Sequence, residues 1–267
     1  VSRGLGDVYK RQKYENSTNC VTLNGKSLSC YKDLSDFVKH NCTKSNFNTS
    51  TSWLVLDSIE MNIKNKIDKI GVPLKDWDIQ INYGIKTGCN EAFIINNEKR
   101  EEILLNCLTE EERKITAEII RPILRGRDIQ RFDFHWAGLY LIATFPSRHY
   151  DINHLPALKA HLLSFGIEKL EQTGCEHLVK GKKIKARKKT NNKWFETQDS
   201  ISYWDHFSKP KIMWKRVGSI LRFSYDKEGH FGLDSTCFAI GEHLEFLVCL
   251  LNSPICLLYT SDAADDK

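Results

Sequence analysis

An α+β fold, with mixed or antiparallel strands and helices packed on them, is predicted by two observations. Strand-like and helix-like patterns both occur along the 267 residues, and they succeed one another without the regular βα alternation that a doubly wound sheet requires. The chain is also long enough, and apolar enough at 41%, to bury a sizeable core.

Residues 13–52 are rich in Asn, Ser, Thr and Lys and read as linker. Ile59, Ile63, Ile67 and Ile70 recur at helical spacing, so a helix is expected from Ser58 to Ile70, with Gly71 at its C′ position and Pro73 beyond. WDIQI at 77–81 and EAFII at 91–95 read as strands. A helix over 110–120 is opened by Thr109 as N-cap with Glu112 three residues on. GLYLIATF at 138–145 reads as a buried strand and Leu155 to Phe165 as a helix. The runs 211–217 and 220–226 suggest a hairpin around Gly218-Ser219, and a last helix begins near Phe246.

Composition narrows the function classes. No apolar run is long enough for a membrane helix, and the N-terminus has no secretory h-region. The nine cysteines are odd in number and hold no CxxC pair, which points to reduced thiols and a cytoplasmic protein rather than a disulfide framework or a zinc site. His149, His154 and His161 match no metal-ligand spacing. No carboxylate arrangement marks a nuclease. The net charge of +5 is mild, so its distribution matters more than its size.

Three basic segments stand out. In GIKTG at 84–88, Lys86 and Thr87 lie between glycines; the loop can hold a phosphate or be a tight turn with a solvated lysine. In LRGRDIQRF at 124–132, Arg125, Arg127 and Arg131 can fork onto phosphates or guanine edges, or form a structural network with Asp128. The run 180–189 carries Lys180, Lys182, Lys183, Lys185, Arg187, Lys188 and Lys189 with no negative charge, and Trp194, Phe195, Tyr203 and Trp204 come after it. Such a run suits a loop along a nucleic-acid backbone, or a solvated loop. In KPKIMWKR at 209–216, strand alternation sets Lys211, Met213 and Lys215 on one face and Ile212, Trp214 and Arg216 on the other, with Trp214 read as core.

Four blocks carry a family resemblance: residues 63–95 including GIKTGCNEAFII, IIRPILRGRDIQRF at 119–132, WAGLYLIATFP at 136–146, and HLEFLVCLLNSP at 243–254. In this order they resemble the TaqI-like C-terminal specificity domain of type II and IIG restriction-modification adenine-specific DNA methyltransferases. The resemblance implies a target-recognition-domain fold, double-stranded DNA as partner, and an upstream methyltransferase domain that uses S-adenosylmethionine. It adds Lys211, Lys215 and Arg216 to the cations expected to face DNA. Among the six prolines no two are adjacent, so the N/D-P-P-Y/F motif of the catalytic core is missing, as is a glycine-rich cofactor loop. A type I-like specificity subunit acting in trans is the alternative, and a stand-alone nuclease a more distant one.

The chain is expected to divide into an inner natural part and two foreign ends. VYKRQ at 8–12 and CLLYTS at 256–261 resemble translations of one sequencing adapter read in opposite orientations, so residues 1–12 and 256–267 are set apart. Residues 13–57 are a linker or remnant of the upstream domain, and 58–255 the specificity domain. Titration calorimetry of the chain with S-adenosylmethionine should show no stoichiometric binding; a saturating isotherm would overturn the assignment of the cofactor to another domain.

Overall fold

A computed structural model describes residues 17–21, 33–45, 55–56, 58–179, 181–218 and 221–256. Contacts divide the chain into two units, 1–73 with 254–267, and 74–253.

In the first unit, strands β1 (Thr18–Cys20) and β2 (Thr43–Ser45) pair antiparallel on either side of helix α1 (Leu34–Asn41) in the chain. Asp33 caps α1 by accepting from the Asp36 amide at 2.8 Å, and Phe37 is its buried residue. Helix α2 (Ser58–Ile70) has the predicted bounds and closes at Gly71, whose amide donates to the Ile67 carbonyl at 2.6 Å. Its isoleucine stripe is not a core face. Ile59 is 68% and Ile70 81% exposed.

The second unit contains two four-stranded sheets. Their strands are β3 (Ile79–Tyr83), β4 (Ile94–Asn96), β5 (Ile120–Leu124), β6 (Leu139–Ile142), β9 (Lys211–Lys215), β10 (Phe223–Asp226), β11 (Phe231–Gly232) and β12 (Thr236–Gly241). The first sheet, in order β10-β9-β12-β3, is antiparallel throughout. The second, β11-β5-β6-β4, is mixed because β11 runs parallel to β5. A separate hairpin joins β7 (Glu176–Val179) and β8 (Lys182–Lys185). The helices are α3 (Asn90–Phe93), α4 (Asn97–Leu105), α5 (Glu110–Ile119), α6 (Pro156–Leu163), α7 (Ile167–Leu170) and α8 (Leu244–Leu251). The α+β class is therefore correct.

Strand alternation explains the packing of β9. Met213 faces the main core with Phe207 and Phe238, while Ile212 faces a second cluster with Phe223, Leu244, Leu247 and Val248 from β10 and α8. A strand buried on both faces cannot present one row of side chains to solvent. Trp214 packs against Phe223 at 5.8 Å between ring centroids, the core role expected of it.

Helix α5 starts as read. The Thr109 hydroxyl accepts from the Glu112 amide at 3.1 Å. Buried Glu112 reaches one residue further back than in a standard capping box, accepting from Leu108 N at 2.7 Å, and its other oxygen accepts from Ala157 N at 2.9 Å. EAFII at 91–95 is a correction. It divides into α3 and β4, because the Thr87 hydroxyl accepts from the Cys89 amide and starts a helical turn there. The hairpin of 211–226 forms with Trp214 opposite Phe223, and its predicted tip at Ser219 lies outside the described residues. Residues 1–12 and 257–267 also lie outside them. Among the described residues no helix is long and apolar enough to cross a membrane.

A charged network is sealed at the start of β9. Lys211 and Asp226 are both fully buried, with Lys211 Nζ 2.6 Å from Asp226 Oδ2 and donating to the Phe207 carbonyl at 2.5 Å. His230 lies 3.1 Å from the other carboxylate oxygen through Nδ1, and its amide donates to Oδ2 at 2.9 Å. Burial alone would raise the Asp226 pKa, but the His230 hydrogen bonds and the Lys211 charge carry it below the usual carboxylate value. Asp226→Asn should lower unfolding free energy by roughly 3 kcal/mol near neutral pH, since Lys211 is then buried without a counter-ion. The folded pKa is depressed, so this stabilisation is complete above the unfolded value near 4 and fades as pH falls through the folded value. Urea melts of both proteins over a pH series check this; a constant difference down to strong acid would contradict it.

Candidate nucleic-acid interface

The turn Leu233–Asp234–Ser235, between β11 and β12, is where three basic segments meet. The Leu233 amide donates to Leu124 O at 3.0 Å and the Asp234 amide to Ile85 O at 2.9 Å. Ser235 Oγ accepts from the Gly126 amide at 3.0 Å, and Ser235 O from the Arg216 amide at 2.9 Å. Loop 84–88 and the end of β9 are thus held to one short turn by main-chain bonds, and turn 125–127 by the Ser235 hydroxyl. Two glycines allow the approach. A Cβ on Gly84 would sit 1.9 Å from Leu233 O, and one on Gly126 would sit 2.8 Å from Ser235 O and 2.9 Å from Lys215 Cγ.

Four cations emerge here with exposed side chains: Lys86, Arg127, Lys215 and Arg216. Among the described residues none of them has a carboxylate within 4.0 Å. The Arg216 guanidinium lies over the Tyr83 ring at 5.1 Å. Arg125, Gly126, Arg127, Lys215, Asp234 and Ser235 share the wall of an open cavity of about 600 Å³. Asp199 stands near Lys86: burial pushes its carboxyl upward, and the Lys86 charge pulls it back. Sequence reasoning missed Tyr83, Asp199, Asp234 and Ser235. Asp199, Asp234 and Ser235 lie more than 100 positions from loop 84–88 and carry no local pattern that points to it, and Tyr83 beside the loop is an ordinary strand residue in the sequence.

Several candidate site residues bond within the fold; for the buried Thr87 and Lys211 this is a correction, while Arg125 is half-buried and Arg131 stays exposed. Thr87 is buried, and its hydroxyl donates to Asn90 Oδ1 at 2.7 Å. The Gly84 and Ile85 amides, which could have cradled a phosphate, donate instead to Thr236 and Gly232 carbonyls. Arg125 is clamped to Asp128 in fork geometry, Nε–Oδ2 at 2.9 Å and Nη2–Oδ1 at 2.7 Å, so the turn network explains it. Arg131 donates to the Asn252 carbonyl, and Asn252 in turn holds Phe223 through its side-chain amide. Lys211 is in the sealed network described above.

Arg187 is the largest correction. It is 4% exposed, and its guanidinium donates to four carbonyls: Leu170 at 2.8 Å, Thr87 at 2.9 Å, Glu196 at 2.7 Å and Trp194 at 2.5 Å. It also lies over the Phe93 ring at 5.1 Å. Burial lowers its pKa to about 10. A guanidinium committed in this way cannot reach a phosphate.

Arg187 anchors what the rest of the basic run does form. Lys182, Lys183 and Lys185 lie on β8, opposite Val179, Leu178 and Glu176 of β7, and all three are exposed. Lys188 and Lys189 are exposed just beyond the buried Ala186 and Arg187. The basic run is therefore a paired hairpin followed by a pinned strap rather than a loose loop. Lys180 lies outside the described residues. Trp194 and Phe195 pack against the main core. Of the histidines, His161 points inward, 3.1 Å from Ala92 O, and burial lowers its pKa.

Comparison with known proteins settles the family. The model of the TaqI-like C-terminal specificity domain matches residues 121–267, more than half of the chain. The chain belongs to the TaqI-like C-terminal specificity domain family. The match includes the turn 125–127, the basic hairpin, β9 and the turn 233–235, and leaves loop 84–88 outside it. No curated protein matches the chain. Among solved structures, the Type IIL restriction-modification enzyme MmeI in complex with DNA is similar at a TM-score of 0.40 and 12% identity, over 68% of this chain and 22% of that one. The chain thus spans under a quarter of that protein's length, and so distant a likeness supports no argument about its site.

Replacing Arg187 with Ala should cost roughly 3 kcal/mol or more, because several buried carbonyls lose a charged donor and a cavity opens. Arg187→Lys should recover only part of this, since one ammonium cannot span the fork. Thermal and urea melts check both; a fully stable Arg187→Ala protein would return this residue to the DNA-facing cations.

Proposed function

We propose that this chain is the DNA target-recognition part of a restriction-modification enzyme whose adenine-specific methyltransferase core and S-adenosylmethionine site lie in another domain. One observation carries the reading. In a chain of a specificity-domain family, four cations without a carboxylate within 4.0 Å among the described residues, Lys86, Arg127, Lys215 and Arg216, are gathered around one turn. Like charges held together repel, and a polyanion relieves that repulsion while releasing its own counterions. Asp234 on the same turn supplies a carboxylate of the kind that accepts from a cytosine amine, and Arg127 and Arg216 supply forks for guanine or phosphate. The hairpin lysines add charge without geometry suited to base edges, and their role is to grip backbone. The parent enzyme acts on double-stranded DNA in the cytoplasm.

This separates residues that set affinity from residues that set preference. Replacing Lys182, Lys183 and Lys185 with Ala should reduce the slope of log affinity against log salt by about 2 to 3 units, at roughly 0.9 per lost phosphate contact. The loss should be alike for all duplexes. Arg127→Ala and Asp234→Asn should instead change the ranking among duplexes. Fluorescence anisotropy over a salt series, with a panel of duplexes, measures both. An unchanged slope in the triple variant would mean that the hairpin is only solvated.

A further inference from the structure

At the other end of the β5–β11 ladder from the turn 233–235 lies a second cavity, of about 220 Å³, that the DNA-facing surface does not use. Buried Phe145 and Phe231 belong to its wall, stacked with ring centroids 6.3 Å apart and planes within 5°. Two arginines share this wall. Arg121, on β5, lies over the Phe231 ring at 5.5 Å, and its Nε is buried with no hydrogen-bond partner. Arg148, on the turn after Phe145, lies 4.1 Å from the centroid of the Trp204 ring, and its Nε donates to the Tyr150 hydroxyl at 3.3 Å. Among the described residues neither guanidinium has a carboxylate within 4.0 Å, although Glu118 also lines the cavity.

We propose that this cavity is a binding site for a nucleoside monophosphate group. Each part of that ligand has a counterpart. Two guanidiniums lining one cavity without a carboxylate within 4.0 Å among the described residues favour an anion there, and planar forks match phosphate oxygens in pairs. Aromatic faces and an arginine already layered on Trp204 form a platform on which a base stacks. The Glu118 carboxylate accepts from a ring N–H or exocyclic amine, and it disfavours a bare multivalent anion. The volume is below the roughly 300–1,000 Å³ of drug-sized pockets, so the cavity takes part of one nucleotide, with the rest at its open mouth, and no longer segment. The same chemistry has two sources: a free mononucleotide, or an unpaired nucleotide in a DNA strand.

The test is titration calorimetry of the full chain with dAMP, with deoxyadenosine and with inorganic phosphate. dAMP should bind saturably, and each fragment at least about tenfold more weakly. Arg148 is exposed, so Arg148→Ala should leave the melting temperature unchanged while weakening dAMP about tenfold or more; Arg148→Lys, which keeps the charge but not the fork, should fall between. No saturable dAMP binding, phosphate binding as tight as dAMP, or an unaffected Arg148→Ala protein would each overturn the proposal. A duplex with one unpaired adenosine, set against its fully paired counterpart, identifies the source. A preference for the unpaired duplex that Arg148→Ala abolishes assigns the strand, and dAMP binding without such preference assigns the free nucleotide. The dAMP arm stands even if paired duplex is not bound, so failure of this site and failure of the recognition face are separable.

Discussion

The basic face depends on the main-chain bonding of the turn Leu233–Asp234–Ser235. Buried backbone groups need partners, and here Ile85, Leu124 and Arg216 bond to the main chain of three consecutive residues while the Gly126 amide bonds to the Ser235 hydroxyl. The parallel pairing of β11 with β5 and the bridge from Leu233 to Ile85 extend the same arrangement. Glycine at 84 and 126 is required for backbone proximity alone. Lys86, Arg127, Lys215 and Arg216 are then brought together as a consequence of how the scaffold closes, at no further cost in loop ordering.

Burial sorts the cations of this chain into two kinds. Taking a guanidinium or ammonium out of water is costly unless it is paired. Arg187 meets that condition with four carbonyls, Lys211 with Asp226 and the Phe207 carbonyl, and Arg125 with Asp128. These three hold the strap after the basic hairpin, the start of β9 and the turn at 125. The exposed cations stand on the positions that the paired ones fix. A run such as 180–189 therefore mixes both roles at adjacent positions, with Arg187 inward between exposed Lys185 and Lys188.

The blocks that carry the family resemblance are mostly staples of the fold. Arg131, from the second block, donates to the Asn252 carbonyl of the last block, and Asn252 clamps the end of α8 to Phe223 of β10. Arg125 and Asp128 close the turn between them. Such pairs hold the architecture of this chain together. Lys86, Arg127, Lys215 and Arg216 project from that frame, exposed and, among the described residues, without a carboxylate within 4.0 Å.

Much of the secondary structure was legible in the sequence, because it rests on short-range physics: the isoleucine period of α2, the Thr109–Glu112 cap of α5, the apolar run of β6, and the pairing of β9 with β10. The α+β class and the basic character of three segments were legible for the same reason. Local pattern did not show that the α2 stripe would stay exposed, that β9 would be buried on both faces, or that EAFII would bend from helix into strand. Nor did it show which cations are free. The sequence by itself determined the elements, the family and the supply of positive charge. Only the tertiary structure decided that Lys86, Arg127, Lys215 and Arg216 share a turn with Asp234 while Thr87, Arg187 and Lys211 are sealed inside. Desolvation and main-chain hydrogen bonding act between residues a hundred or more positions apart, and no local pattern encodes that pairing.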